Sequence, residues 1–208
     1  MKKFNRKKFM EKGRDYLKTV SLVGADLSDC GLDNIELPSR DLSLASLEGI
    51  HICKAIFSLA NFTKANLSYV NAVEADFEGC DFQRATLHNA NLYKSQLNYA
   101  DLMNADLSEA NLTKAGLYNT NFRGANLAGV NLEGADIRDC TGDGIVIKNV
   151  PSNRFRIVYT NKVMAIGCQQ HSIEEWFDFT LNQIHAFGGN HAVHWWKKNA
   201  ERLRLHVL

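Results

Sequence analysis

The side chains best suited to chemistry lie near the C-terminal end. Five of the seven histidines, His171, His185, His191, His194 and His206, fall in the last 38 residues, and Cys168 lies just before them. Cys168-x-x-His171 and His191-x-x-His194 would supply four zinc ligands, because i,i+3 spacing sets two side chains on one helical face and thiolate with imidazole suits zinc. The first spacing fits ordinary zinc pairs, whereas the second is looser. Cys168 and His171 also have the types of a nucleophile and its base, but nearness in sequence does not supply the geometry. The expectation is a packed module without cofactor or catalytic residue, with Cys168, His171, His191 and His194 as the candidate metal set.

No other constellation assembles. The chain has no P-loop, GxGxxG, GxSxG or HExxH pattern. Carboxylate pairs such as Asp26 and Asp29 belong to a large population of Asp and Asn at recurring positions. Both residue types tolerate turns and bond the backbone locally, so a role in turn corners is expected before one in acid–base catalysis. The five cysteines, Cys30, Cys53, Cys80, Cys140 and Cys168, form no CxxC pair, which points to reduced thiols rather than a disulfide framework. No apolar run approaches the roughly 18–20 residues of a membrane span, and the basic start carries no apolar signal. The cytoplasm, bacterial or phage-infected, is the expected compartment, with no membrane partner.

What positions these residues is a period of five. A large apolar residue recurs at every fifth position from Leu22 to Ile137, 24 positions in all, with Ala72 the one exception. Two residues earlier runs a second register, usually Ala, as at Ala55, Ala60, Ala65, Ala100, Ala105 and Ala110, and Asn or Asp commonly stands between the two. Five matches neither the helical 3.6 nor the strand period of 2, so the chain must turn once per repeat to keep both registers inside.

Units such as Ala105-Asp106-Leu107-Ser108-Glu109 and Ala110-Asn111-Leu112-Thr113-Lys114 resemble the A(D/N)LXX consensus of the pentapeptide-repeat family. The resemblance covers residues 20–141. It implies an all-β, right-handed quadrilateral β-helix, four repeats to a coil and about six coils, with a small α+β C-terminal cap. At about 4.8 Å per strand the stack would be roughly 29 Å long. Ile35, Arg40 and Ile50 depart from the small inward register near Pro38, which predicts distorted early coils with a bulge or outward loop; His51, Cys53 and Ile56 are also off pattern.

Solenoid ends need covers. Residues 1–19 carry Phe9, Met10, Tyr16 and Leu17 at helical spacing, predicting an amphipathic helical cap. Lys2, Lys3, Arg6, Lys7 and Lys8 offer the alternative of a nucleic-acid or anionic-membrane contact. Residues 142–208 form a different, α+β module. A hairpin is expected from Arg154–Tyr159 and Val163–Ile166 around Thr160-Asn161, and Ser172-Ile173-Glu174-Glu175 is a capping box opening a helix with Trp176 and Phe179. Val193, Trp196, Ala200, Leu203 and Val207 share one helical face. The run Ala165–His171, followed by Trp176 and Trp195-Trp196, is also similar to the tail of some bacteriophage and prophage members of the family.

The net charge of +1 conceals a segregation: +6 over residues 1–19, −8 over 20–140 and +3 over 141–208. If four repeats make one coil, one face carries Asp26, Asp29, Glu48, Asp106 and Glu109 without a cation, and the opposite face carries Glu36, Asp76, Glu78, Asp136 and Asp139 against Arg138. Family members that protect DNA gyrase are thought to mimic DNA with such faces, so the resemblance implies a protein partner that binds DNA, such as a topoisomerase. Duplex DNA would carry roughly 17 charges over 29 Å, about twice the −8 present. Dimerisation through the Trp195-Trp196 helix, as in those relatives, would lengthen the acidic rod. The competing reading is a scaffold that recognises its partner through Gln169, His171 and Trp195, with Tyr69, Tyr93, Tyr99 and Tyr118 turned outward on the solenoid.

Overall fold

The computed structural model describes residues 2–150, 152 and 155–207, with only the backbone described for Lys2. From Asp26 to Thr141 the backbone repeats a five-residue unit of one bridge residue, one large inward residue, a two-residue turn and a second inward residue, usually small. Parallel bridges join residues 20 apart, as in Asp26 to Ser46, Ser46 to Asn66 and Asn121 to Thr141. Four repeats therefore complete one turn of a four-sided β-helix.

The turns follow from the sequence. The amide of the small inward residue returns to the preceding large residue, as Cys30 N–H does to the Leu27 carbonyl at 2.8 Å. The second turn residue takes a left-handed backbone, with φ near +60° at residues as different as Lys64, Tyr69, Asn89 and Gly124. Asp or Asn in the bridge position then accepts the amide two residues on, as Asp81 does from Gln83 at 2.9 Å and Asn111 from Thr113 at 3.0 Å. Asx in the bridge position thus commonly closes its own corner, the role expected of it.

Inside, Leu, Ile and Phe stack coil upon coil, with Phe57 against Phe77 at 5.7 Å and Phe62 against Phe82 at 4.9 Å between ring centroids. At the Ala72 exception both Ala72 and its partner Val70 are buried, so bulk has moved from one inward register to the other. Cys30, Cys80 and Cys140 occupy the small inward register, where burial pushes the thiols of Cys80 and Cys140 up to about 12.

The anticipated bulge near Pro38 is absent. Ile35 and Ile50 are simply buried, and bridges Glu36–Ile56, Asp41–Asn61 and Ser46–Asn66 keep the register. Arg40 fits because its guanidinium leaves the coil at the open end, donating to the carbonyls of Leu17, at 3.0 Å, and Val20.

At the N-terminal end β1 (Lys2–Lys3) pairs in parallel with β2 (Val20–Ser21), covering the edge. Between them lie α1 (Arg6–Lys12) and a 3₁₀ helix (Arg14–Thr19), separated by Gly13 at φ 69°. That break corrects the single amphipathic helix: Phe9, Tyr16 and Leu17 are buried, but Met10 is 77% exposed.

At the other end β3 (Lys148–Val150), β4 (Ile157–Tyr159), β5 (Val163–Ile166) and β6 (Gln169–Ser172) form an antiparallel sheet in sequential order. The expected hairpin is β4–β5, although Arg154 lies outside the described residues; β3 and β6 extend it on both sides. Val158 and Ala165 face the solenoid core, while Ile157, Tyr159, Met164 and Ile166 face α2 (Ile173–Asp178) and α3 (Leu181–Val207). Ser172 and Glu175 make the reciprocal capping box. Phe179 falls just beyond α2, and α3 breaks at Gly188-Gly189. Val193, Trp196, Ala200, Leu203 and Val207 pack in one cluster as their helical spacing predicts.

Candidate functional site

The 20-residue register decides which charges meet. Asp26, Ser46, Asn66, Thr86, Asp106 and Asn126 fall on one bridge line, and Glu36, Ile56, Asp76, Gln96, Gly116 and Asp136 on another. Around the first line, Asp26, Asp29, Glu48 and Glu109 are exposed, and Asp106 is half-buried. Around the second, Glu36 and Glu78 are exposed while Asp76, Asp136 and Asp139 are half-buried.

These carboxylates differ in how far they are already engaged. Asp26 accepts the hydroxyl and amide of Ser28, at 2.6 and 3.1 Å, and these bonds hold its pKa below the usual value. Burial raises the pKa of Asp106, but bonds from Ser108 and Asn126 outweigh it and the net shift is downward. Asp76 accepts from Ser58 and from the Glu78 amide. Arg6 sits 2.6 Å from Asp29, Arg138 2.6 Å from Asp136 and Arg156 4.0 Å from Asp139, so arginines from the flanks and the last repeat offset part of the acidic charge.

The C-terminal candidates do not form one site. Among the described residues the metal-ligating atoms of Cys168, His171, His191 and His194 make no cluster. Cys168 is exposed and its Sγ accepts from Gln169 Nε2 at 3.6 Å. His171 packs between the rings of Trp176, Phe179 and Phe187. His191 and His194 instead line a cleft of about 500 Å³ with Lys198, Arg202 and Asn199, walled by Val150, Ile157 and Leu203. No hydrogen bond joins Cys168 to His171 among the described residues, so the nucleophile–base arrangement is not built.

Trp195 does not offer the recognition surface anticipated for it. It is 9% exposed and packs edge-on against Phe155 at 5.2 Å, while Trp196 lies tilted against Trp176 at 5.6 Å. Both rings serve the module's own core, which removes the basis for a dimer through them. Tyr69 and Tyr99 are exposed as expected, and Tyr93 and Tyr118 are half-buried.

One further group is assembled by the coil rather than by neighbouring sequence. Asp33, His51 and Cys53 each offer a ligand atom, and these atoms lie within 4.8 Å of one another. His51 and Cys53 were visible as off-pattern residues, but Asp33 stands one coil earlier and joins them only through the 20-residue return.

A model of the pentapeptide repeat region matches residues 73–149, and a model of pentapeptide repeats in eight copies matches residues 41–79. No curated protein matches the chain. Among solved structures the chain is similar to HetL, a pentapeptide repeat protein involved in heterocyst differentiation regulation in the cyanobacterium Nostoc sp. strain PCC 7120. The two are 27% identical over 60% of this chain and 61% of HetL, with a TM-score of 0.29. It is also similar to QnrB1, a plasmid-mediated fluoroquinolone resistance protein, at 19% identity over 58% and 71% with a TM-score of 0.27. A pentapeptide repeat protein from the thylakoid lumen of Arabidopsis thaliana is 24% identical over 60% and 69%, with a TM-score of 0.26. The chain thus spans about three-fifths of HetL's length.

Proposed function

The chain belongs to the pentapeptide-repeat family, whose members fold as right-handed β-helices, and from that premise we propose that it is a non-enzymatic binding protein whose acidic solenoid faces engage a DNA-binding protein. The observation that carries this reading is the alignment of acids on two separate bridge lines of a narrow rod, Asp26 and Asp106 on one, Asp76 and Asp136 on the other. A DNA-binding surface is built to neutralise phosphates with Lys and Arg, and a rod of fixed carboxylates presents the same sign of charge. Asp29, Asp136 and Asp139 are paired with arginines, so the attraction rests on Asp26, Glu36, Glu48, Asp76, Glu78, Asp106 and Glu109. No helix among the described residues is long and apolar enough to cross a membrane.

The test uses the purified chain as bait for a host lysate at low and high salt, with duplex DNA as competitor. A partner released by DNA and by salt, and lost when Glu48, Glu78 and Glu109 are reversed to Lys, supports the proposal. These three glutamates are chosen because Asp26, Asp76 and Asp106 also close turns, so reversing those would confuse charge with folding. Unchanged capture by the reversed protein would overturn it.

A second reading places recognition in the C-terminal module. It is favoured by the cleft in which Lys198, Arg202, His191 and His194 gather, which suits an acidic or phosphorylated partner. Here capture would survive reversal of the glutamates and fail with Lys198→Glu and Arg202→Glu. Gln169 and His171 are also in this module, and His171→Ala is expected to act through folding because its ring is packed among aromatics.

A further inference from the structure

We infer that Asp33, His51 and Cys53 form a zinc-class metal site on the surface of the first coils. Imidazole, thiolate and carboxylate together are a borderline-soft donor set, suited to Zn²⁺ rather than to Mg²⁺ or Ca²⁺. Tetrahedral ligands at zinc's usual bond lengths lie roughly 3.3–3.8 Å apart. The three donor atoms are already within 4.8 Å of one another, so side-chain rotation of about an ångström brings them to that span without moving the coil.

Cys53 stands apart from the other solenoid cysteines. Cys30, Cys80 and Cys140 fill the small inward register and are buried. Cys53 occupies the outward first turn position, half-exposed, with Sγ 3.6 Å from the Asn71 carbonyl oxygen. Its thiol need not leave the core to bind an ion.

The backbone departs from the repeat at the same place. His51 replaces the Asx that would accept the amide two residues on, and the Cys53 amide instead donates to Asp33 Oδ1 of the preceding coil at 2.7 Å. This bond holds the Asp33 carboxylate over Cys53 and leaves Oδ2 for an ion. Closing the turn does not require an acid. Where Gly116 leaves the same vacancy, Asn98 of the preceding coil accepts the Tyr118 amide at 2.9 Å.

Access and orientation are also provided. Gly31 holds the position one coil before His51, with open space where a Cβ would stand. Between Asp26 and Thr141, the Gly31–His51 bridge is the one missing from the described ladder. On the other side the Asn71 amide nitrogen lies 3.4 Å from His51 Nδ1, anchoring one edge of the ring. The site thus joins two coils where the ladder itself is thinnest, with His51 exposed to solvent.

The experiment uses the reduced, chelator-stripped full chain, titrated with Zn²⁺ by calorimetry and with Co²⁺ by absorption, where a thiolate ligand gives a charge-transfer band. The expected result is one ion per chain, with the band abolished in Cys53→Ser and affinity lowered at least about 10-fold in both Asp33→Asn and His51→Asn. His51→Asn introduces the residue that stands at Asn71, Asn91 and Asn111 on the same bridge line, so it leaves the coil intact. Its metal-free melting temperature checks this. Cys168→Ser should bind like the parent. Absence of uptake at micromolar metal, a band that persists in Cys53→Ser, or a band lost instead in Cys168→Ser would each overturn the assignment.

Discussion

Gln170 Oε1 accepts the Ile137 amide proton at 2.8 Å, and Gln170 Nε2 donates to the Ala135 carbonyl at 2.7 Å. One coil earlier, Leu117 and Ala115 make the corresponding bonds with the backbone of Asp136. A single side-chain amide therefore stands where the next coil's peptide would be, and caps this one side of the last coil.

Replacing it removes both bonds from a partly buried edge. Gln170→Leu is expected to lower unfolding free energy by about 1–3 kcal/mol, read from urea denaturation monitored by tryptophan fluorescence. A loss confined to the tryptophan signal, with the far-ultraviolet β signal unchanged, would show that the module detaches before the solenoid melts.

The left-handed turn position supplies a stabilising mutation. Leu44 and Leu59 hold φ of 61° and 62° while exposed to solvent, and a non-glycine residue there carries roughly 1–2 kcal/mol of strain. Asn tolerates this conformation better and already occupies it at Asn89 and Asn104. Leu44→Asn should raise stability by about 0.5–1 kcal/mol, and Leu44→Val should lower it by a similar amount or more, in paired thermal melts.

The acid response follows from Asp26, Asp106 and Asp136. For Asp136 burial raises the pKa, but hydrogen bonds and charge from Arg138 outweigh it, so all three are lowered from 3.8. A lowered folded-state pKa contributes stability that is fully present above the unfolded value and is lost as pH falls through the folded value. Stability should therefore decline as pH drops below about 4, and the decline should shrink in an Asp26→Asn, Asp106→Asn double variant. An unchanged acid slope in that variant would assign the effect to other carboxylates.

Thiol reactivity should sort the cysteines by position. Cys168 is exposed and should react first with a chromogenic disulfide reagent at pH 8. Cys53 should follow more slowly, since burial raises its pKa. Cys80 and Cys140, pushed up to about 12 and buried, should react only on unfolding. Fast labelling of Cys80 in the native state would contradict the packing of the inward register.

The repeat could be read from the chain because each unit repeats the same local physics. A large inward residue, a small one before it and an Asx that caps its own turn recur every five residues, so the turn and the core register required no knowledge of distant contacts, whereas the acidic bridge lines also needed the four-repeat coil that the family resemblance implied. The ends lacked that redundancy. Met10 shares its spacing with buried Phe9, yet Gly13 breaks the helix and leaves Met10 in water. Trp195 reads equally well as a surface or a core residue, and only the approach of Phe155 buries it. Cys168 and His191 share a module but not a site, because the sheet and the bend at Gly188-Gly189 send them to different cavities. Asp33 meets His51 and Cys53, and Gln170 meets Ile137, through chain returns of 18 to 33 residues. Local rules dictated the coil; which side chains met across coils and at the ends was decided by tertiary packing, where each contact depends on surfaces that sequence neighbours do not supply.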